Sequence, residues 1–201
     1  MTDKVFCDVS ISADGYVAGA GQTADKPFGD GPVDRLHAWM FDTPDENRAE
    51  IDAIVSAGAF VMGRNMFGPV RGQWDLSWTG WWGENPPYHT PVFVLTHHAR
   101  EPLEMQGGTT FHFVTGGIEE ALERAREAAG DRDVSIGGGA QAIQQYLRAG
   151  LVDEMVVHVV PRLLGRGERL FENLDGGPTG YECVEFVSSP RVAHFRFARK
   201  V

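Results

Sequence analysis

Three consecutive glycines, Gly137-Gly138-Gly139, constrain this chain more than any other stretch. They follow a short β-type run, Val134-Ser135-Ile136, and precede a helix-type pattern, Ala140–Leu147 (AQAIQQYL). Glycine repeats raise the entropic cost of folding, so a folded chain keeps them where a side chain would obstruct something. At a strand-to-helix junction, bare backbone N–H groups and the positive end of the helix dipole point outward together, which suits a phosphate or pyrophosphate. A tight turn that only lets helix and strand pack closely is the competing reading.

The flanking stretches define an α/β chain. Val5–Ser12 alternates as a first strand, broken by Ala13-Asp14-Gly15. A Gly/Asp-rich loop, Ala20–Pro32, follows, then a short helical segment over Asp34–Phe41. Pro44 and Asp45-Glu46 open a helix whose expected buried stripe is Ile51, Ile54 and Val55. Ala59–Met62, Pro91–Leu95 and Thr110–Val114 read as buried strands, and Gly116–Ala129 as an amphipathic helix with Ile118, Leu122 and Ala125 inward. Between them lies Val70–Pro91, which holds Trp74, Trp78, Trp81 and Trp82 and reads as a long loop anchored by its aromatics or offering them to a substrate. Val152–Val160 is strongly β-type, and Tyr181–Ser188 with Val192–Lys200 forms a final hairpin. This order predicts one domain over residues 1–201, a mostly parallel mixed sheet flanked by helices, with an antiparallel hairpin at its C-terminal edge.

Composition narrows the function. A formal net charge of −10 and the lack of any basic run argue against a nucleic-acid or anionic-membrane surface. No apolar run approaches the ~20 residues of a membrane span, and the first residues lack the apolar core of a signal peptide, so a cytoplasmic protein is expected. Cys7 and Cys183 are solitary and are expected to be reduced and buried. Neither HExxH nor CxxC occurs, and adjacent His97 and His98 would point to opposite faces of a strand, so no metal is expected.

Five stretches in one order carry a resemblance: SADGYVAG after the first strand, FVMGRNMF, VFVLTHH, VSIGGGAQ, and LVDEMVVHVVPRLLGRGERLF near the end. Together they resemble the dihydrofolate-reductase superfamily, most closely the reductase domain of the bifunctional riboflavin-biosynthesis deaminase/reductase and its stand-alone relatives. The resemblance implies a dihydrofolate-reductase-like fold, a homodimer and NADPH-dependent hydride transfer to a pterin- or pyrimidine-like heterocycle or a carbonyl. The alternative is a non-catalytic NADP-binding module. On this likeness Gly137, Gly138, Gly139, Ile136 and Ala140 line the pyrophosphate turn, and Gly63-Arg64 supplies close backbone approach and a cation. Leu95, Thr96 and His97 neighbour the adenosine 2′-phosphate with Arg100 beside them, while Ser10 and Val17 hold the nicotinamide carboxamide. No acid stands at that strand end to claim a free 2′-hydroxyl, which favours NADP over NAD.

Departures from the family pattern fall on the chemistry. Met66 stands where relatives have Thr, Ala142 where they have Tyr, and His158 where they have Thr. Asp34 is the nearest counterpart of the substrate-holding carboxylate. Asp34, His158 and Asp14 are the candidate proton donors, with Asp34 expected to be desolvated near Trp39. Their alternatives are a helix cap, a satisfied core histidine and a turn carboxylate. The His/Cys/Cys zinc pattern of the deaminase half is missing.

Overall fold

The computed structural model describes residues 4–175 and 179–200. Its strands are β1 (Val5–Ser12), β2 (Tyr16–Ala18), β3 (Ala59–Gly63), β4 (Pro91–Leu95), β5 (Leu103–Glu104), β6 (Thr110–Val114), β7 (Val134–Gly138), β8 (Glu154–Val160), β9 (Glu168–Arg169), β10 (Tyr181–Ser189) and β11 (Val192–Arg199). Its α-helices are α1 (Ala38–Asp42), α2 (Arg48–Ile54), α3 (Arg64–Phe67), α4 (Gly117–Ala129) and α5 (Ala140–Arg148). Nine strands make one sheet in the order β10-β11-β8-β1-β7-β3-β4-β6-β5, and β2 pairs with β9 apart from it. The central ladders are parallel, and the β10–β11 hairpin adds antiparallel to β8, as the strand pattern predicts.

Period-2 alternation sorts the strands onto two faces. Val5, Cys7, Ala59, Val61, Val134, Ile136, Met155 and Val157 pack under α4 and α5, whose Leu122, Ala125, Ile143 and Tyr146 close the larger core. The opposite face carries two separate clusters. Phe60, Met62, Val92, Val94, Phe111 and Phe113 meet Trp74, Trp78 and Trp82 of the long loop. Val160 and Val192 meet Leu36 and Trp39 from α1 and the 3-10 turn before it. Between these clusters the sheet parts. The β1–β7 ladder runs only from the Val5–Val134 pair to Cys7–Ile136, whereas β1 stays paired with β8 through Ser12.

Three local expectations are corrected. Helix α2 is preceded by a 3-10 turn over Pro44–Asn47 and buries no side chain fully; Ile51 and Ile54 lean on the Trp39 cluster, but Val55 is exposed. Cys183 is exposed on β10, not buried, while Cys7 is buried in the core. Two-residue strands β5 and β9 are too short to show any period.

The loop after β2 folds back on itself, with Gly19 N–H donating to Phe28 O at 2.8 Å and Asp30 N–H to Ala20 O at 2.7 Å. Gln22 ties it across to α3, its amide donating to Asn65 O at 2.8 Å, while Arg71 donates to the Gln22 oxygen at 3.2 Å. No described helix is long and apolar enough to cross a membrane.

Candidate functional site

The C-terminal ends of β7, β3 and β4, three neighbouring strands, bring Gly137–Gly139, Gly63-Arg64 and Thr96-His97 side by side. Gly138 has φ +126°, a backbone that side chains rarely adopt, and the Gly138–Gly139 peptide is cis. A Cβ at Gly139 would meet no atom within 4 Å, and one at Gly138 would meet only Met66 Sδ, at 3.4 Å. Gly139 therefore lines open space. Close packing does not explain the bareness at Gly139, whereas a Cβ at Gly137 would meet Met66 at 3.4 Å and Gly138 owes its glycine to its positive φ. Helix α5 starts here, and Gly139 O accepts from Ala142 and Ile143, leaving the N–H groups ahead of them aimed out of the helix.

Arg64, next to Gly63 at this turn, and Arg100, past the end of β4, are found in no salt bridge among the described residues, although Asp75 acts on Arg100. Arg64 lies flat over Trp74, its guanidinium carbon 3.8 Å from the ring centroid, and Nη2 donates to Gln73 O at 3.4 Å. Arg100 lies over Phe113 at 5.0 Å and Trp74 at 5.5 Å, and Nη2 donates to Leu76 O at 3.3 Å. Arg64 Nε and Arg100 Nη1 are buried with no hydrogen-bond partner. Burial pulls both arginines below their ordinary basicity; Arg71 adds to this at Arg64, and Asp75 opposes it at Arg100. Buried donors and positive charge without a partner fit a phosphate group.

The remaining expected contacts are mixed. Thr96 is buried, but its hydroxyl is engaged by its own turn, accepting from His98 N–H at 3.1 Å and donating to His98 O at 3.3 Å. His97 is exposed beside it. Leu95 leans on the helix-covered core and Ile136 is fully buried there, so Ile136 offers only backbone to a ligand; Ala140 is the buried first residue of α5. Ser10 lies past the last β1–β7 rung, and its hydroxyl accepts from Trp39 Nε1–H at 3.2 Å. Val17, in β2, packs on the core edge.

Two proton-donor expectations are corrected. The Asp34 side chain is 76% exposed and its nearest charge is Arg35 at 3.8 Å, so it lacks the apolar surround on which that role depends. Asp14 is a turn clamp. It accepts from Ser12 Oγ at 2.6 Å, Leu164 N–H at 3.0 Å and Gly165 N–H at 2.7 Å, and these bonds, the Ser12 hydroxyl foremost, lower it to about 2. His158 is buried with two partners. Its Nε2 lies 2.8 Å from Asp8 Oδ1, and its Nδ1 lies 2.6 Å from Nδ1 of His194. Neither Asp8 nor His194 is singled out by the sequence reading. The available signal is polar residues at every second position of β1 (Asp8, Ser10, Ser12) and a histidine flanked by apolar residues in each of β8 and β11.

An open α/β sheet with a glycine-lined turn at a strand end defines a protein that takes its ligand outside the carboxyl ends of the strands. The chain belongs to the RibD C-terminal domain family, whose model matches residues 3–189. A Shewanella sp. PV-4 protein assigned provisionally to riboflavin biosynthesis superposes with TM-score 0.69 at 26% identity, over 98% of this chain and 99% of that one. A diaminohydroxyphosphoribosylaminopyrimidine deaminase/5-amino-6-(5-phosphoribosylamino)uracil reductase of Thermotoga maritima shares the fold at TM-score 0.61 and 14% identity; 98% of this chain covers 56% of that longer one. The uncharacterized protein YyaP of Bacillus subtilis (strain 168) is 23% identical over 172 residues, 84% of this chain and 80% of that protein.

Proposed function

We propose that this chain is an NADPH-dependent reductase acting on a small heterocyclic, pyrimidine- or pterin-like, or carbonyl substrate. The observation that carries the reading is the glycine turn Gly137–Gly139, open at Gly139, with Arg64 next to Gly63 on the neighbouring strand end and its buried Nε without a hydrogen-bond partner. The backbone N–H groups at the start of α5 would hold the pyrophosphate. Arg64 and Arg100, with His97 at the rim, would hold the 2′-phosphate, and no acid at the end of β4 repels it. The backbone of Ser10 and Val17 would orient the nicotinamide. A bound reduced nicotinamide supplies a hydride; this chain's residues orient it, exclude water and provide the accompanying proton.

The test uses Gly139, because φ +126° strains any substitution at Gly138 itself. Gly139→Val places a branched side chain in the open space at φ −71°, which valine accepts. Calorimetry should show NADPH affinity falling ~100-fold or more, about 2.7 kcal/mol, with unchanged melting. Unaltered affinity in the folded variant sinks the reading, and binding without turnover on any pterin, pyrimidine, quinone or carbonyl leaves a binding module.

A homodimer belongs to the same proposal. Strand β10 is an edge strand whose Val184 and Phe186 are 58% and 57% exposed, and pairing with a second copy would cover them. Light scattering should give twice 22.1 kDa; a single-chain mass at micromolar concentration counts against it.

A further inference from the structure

Beneath Trp39 runs a buried chain of four side chains from four elements: Asp8, His158, His194 and Asn47. His158 lies opposite both Ser10 on β1 and His194 on β11, so the three strands set the polar groups in line on one face. His194 Nε2 lies 3.0 Å from Asn47 Oδ1, and Asn47 Nδ2 donates to Thr43 O at 3.1 Å. That second bond fixes the amide, so Asn47 presents an acceptor and His194 Nε2 must carry hydrogen. The two Nδ1 atoms face each other at 2.6 Å, so one hydrogen must lie between them; otherwise two buried lone pairs would oppose. If that hydrogen belongs to His194, His194 is an imidazolium and His158 Nε2 donates to the Asp8 carboxylate. If it belongs to His158, either His158 is the imidazolium or Asp8 is protonated and donates to Nε2. Each arrangement places three hydrogens on Asp8, His158 and His194. A carboxylate with two neutral imidazoles holds two.

We propose that Asp8, His158 and His194 hold one shared proton more than a carboxylate and two neutral imidazoles, and that Asp8 delivers it into the ligand cleft. The chain is closed at Asn47, which is 1% exposed, and ends at Asp8, whose side chain is 7% exposed and which is the first residue of β1 past its last rung to β7. The delivery step rests on the reductase reading; the shared proton does not. In the two-electron reduction a hydride passes from the reduced nicotinamide to a substrate carbon. Where the extra proton starts on a ring it passes to Asp8 across the Nδ1···Nδ1 and Nε2···Oδ1 contacts, and the Asp8 O–H bond then breaks as an N–H or O–H bond forms on the adjacent substrate atom. The chain is left as a carboxylate and two neutral imidazoles, and it recovers its proton from solvent.

The surroundings bear on where the extra proton sits, and the lowering of His194 weighs against that ring as its seat. Trp39 packs against both rings, at 4.8 Å from His158 and 5.1 Å from His194, and shields them from water. Burial and then His158 lower His194, while Glu50 of α2 and Asp8 oppose them. His37, ahead of α1, is held at about 4 by its burial and by His158, so it stays neutral and leaves the pair as the seat of charge.

Nitrogen-15 NMR of the imidazoles in the whole protein tests the proton directly. At pH 7.5 and low temperature, His158 and His194 should show one imidazolium between them, or two neutral rings beside the carbon-13 signal of a protonated Asp8 carboxyl, and in either case one strongly downfield N–H···N proton coupled to both rings. Asp8→Asn keeps an acceptor for Nε2 but removes the balancing charge, so that signal should vanish while the amide spectrum stays folded. Two neutral rings beside an ionised Asp8 carboxylate in the parent overturn the proposal, whether or not any variant folds. For delivery, Asp8→Asn should lower kcat roughly 10²-fold, with KM and NADPH affinity unchanged and the pH profile flattened. An unchanged kcat overturns delivery, whereas a parent protein that binds no NADPH overturns the reductase reading and leaves the NMR result standing.

Discussion

The Trp74 side and the Trp39 side of one sheet face both bury tryptophan, yet their polar content differs in kind. Beside Trp74 the charges are arginines stacked on rings with donors left over, and the nearby backbone is glycine. Beneath Trp39 the polar atoms are paired with one another from Asp8 to Asn47, and the Trp39 indole itself donates to Ser10. Unsatisfied donors are a demand for a ligand, whereas a closed chain of hydrogen bonds is a reservoir that needs none. The same fold layer thus presents a binding half and a proton-holding half.

The largest effect should separate the halves by stability. Trp39 is 1% exposed, so Trp39→Ala should cost ~3–5 kcal/mol in denaturant unfolding, from cavity and orphaned polar groups together. Trp74 is only partly buried, and Trp74→Ala should cost roughly 1–2 kcal/mol in proportion. It should also loosen Arg64 and weaken NADPH, a change Trp39→Ala should not share in its folded fraction. Equal stability losses with equal nucleotide effects would dissolve the distinction between the two sides.

A smaller effect tests the arginines alone. Arg64→Met keeps a flexible chain over Trp74 but removes the charge. A charge-assisted contact of ~1.5–3 kcal/mol predicts that the preference for NADPH over NADH falls roughly tenfold or more, read by parallel titrations. Loss of both affinities in the same proportion would move Arg64 away from the 2′-phosphate.

The smallest expected effect is a slope with pH on the Trp39 side. Burial and then His158 depress His37 to about 4 in the folded protein, against an ordinary 6.5. The folded state favours neutral His37, so its stability is intact above the ordinary value and declines as pH falls from 6.5 towards 4, where the unfolded chain binds the proton more readily. Because His37 stacks on Phe28 at 4.6 Å, the loop after β2 should loosen over the same range. His37→Phe should flatten the melting temperature between pH 6.5 and 4; an unaltered slope assigns it to other groups.

The frame of this molecule was legible because its central strands β3 and β4 are short continuous apolar runs and the two helices above them repeat with a clear period. Val5–Ser12, Ala59–Met62, Pro91–Leu95 and Ile118-Leu122-Ala125 each carry their buried face in the order of residues. The glycine turn was legible too, since Gly137–Gly139 interrupts both patterns at once. What stayed hidden depends on distance along the chain. Asp8 and His158 are 150 residues apart, and His194 and Asn47 are 147 apart, so no local pattern couples them. Asp34 misled for the converse reason: its neighbours in sequence include Trp39, but a 3-10 turn carries its side chain outward while Trp39 goes in.

The short ladder between β1 and β7 has a mechanical meaning. Three rungs, from Val5–Val134 to Cys7–Ile136, are all that stitch the β10-β11-β8-β1 half-sheet to the β7-β3-β4-β6-β5 half-sheet at this seam. Above Cys7 no rung joins the two halves, with the glycine turn on one side of the gap and the Asp8 chain on the other. On the reductase reading, a nucleotide lying across that seam would act as an extra stitch, held to one half by its phosphates and to the other by its ring. Occupancy would then be read in how slowly the amides of Asp8–Ser12 and Gly137–Gly138 exchange with solvent.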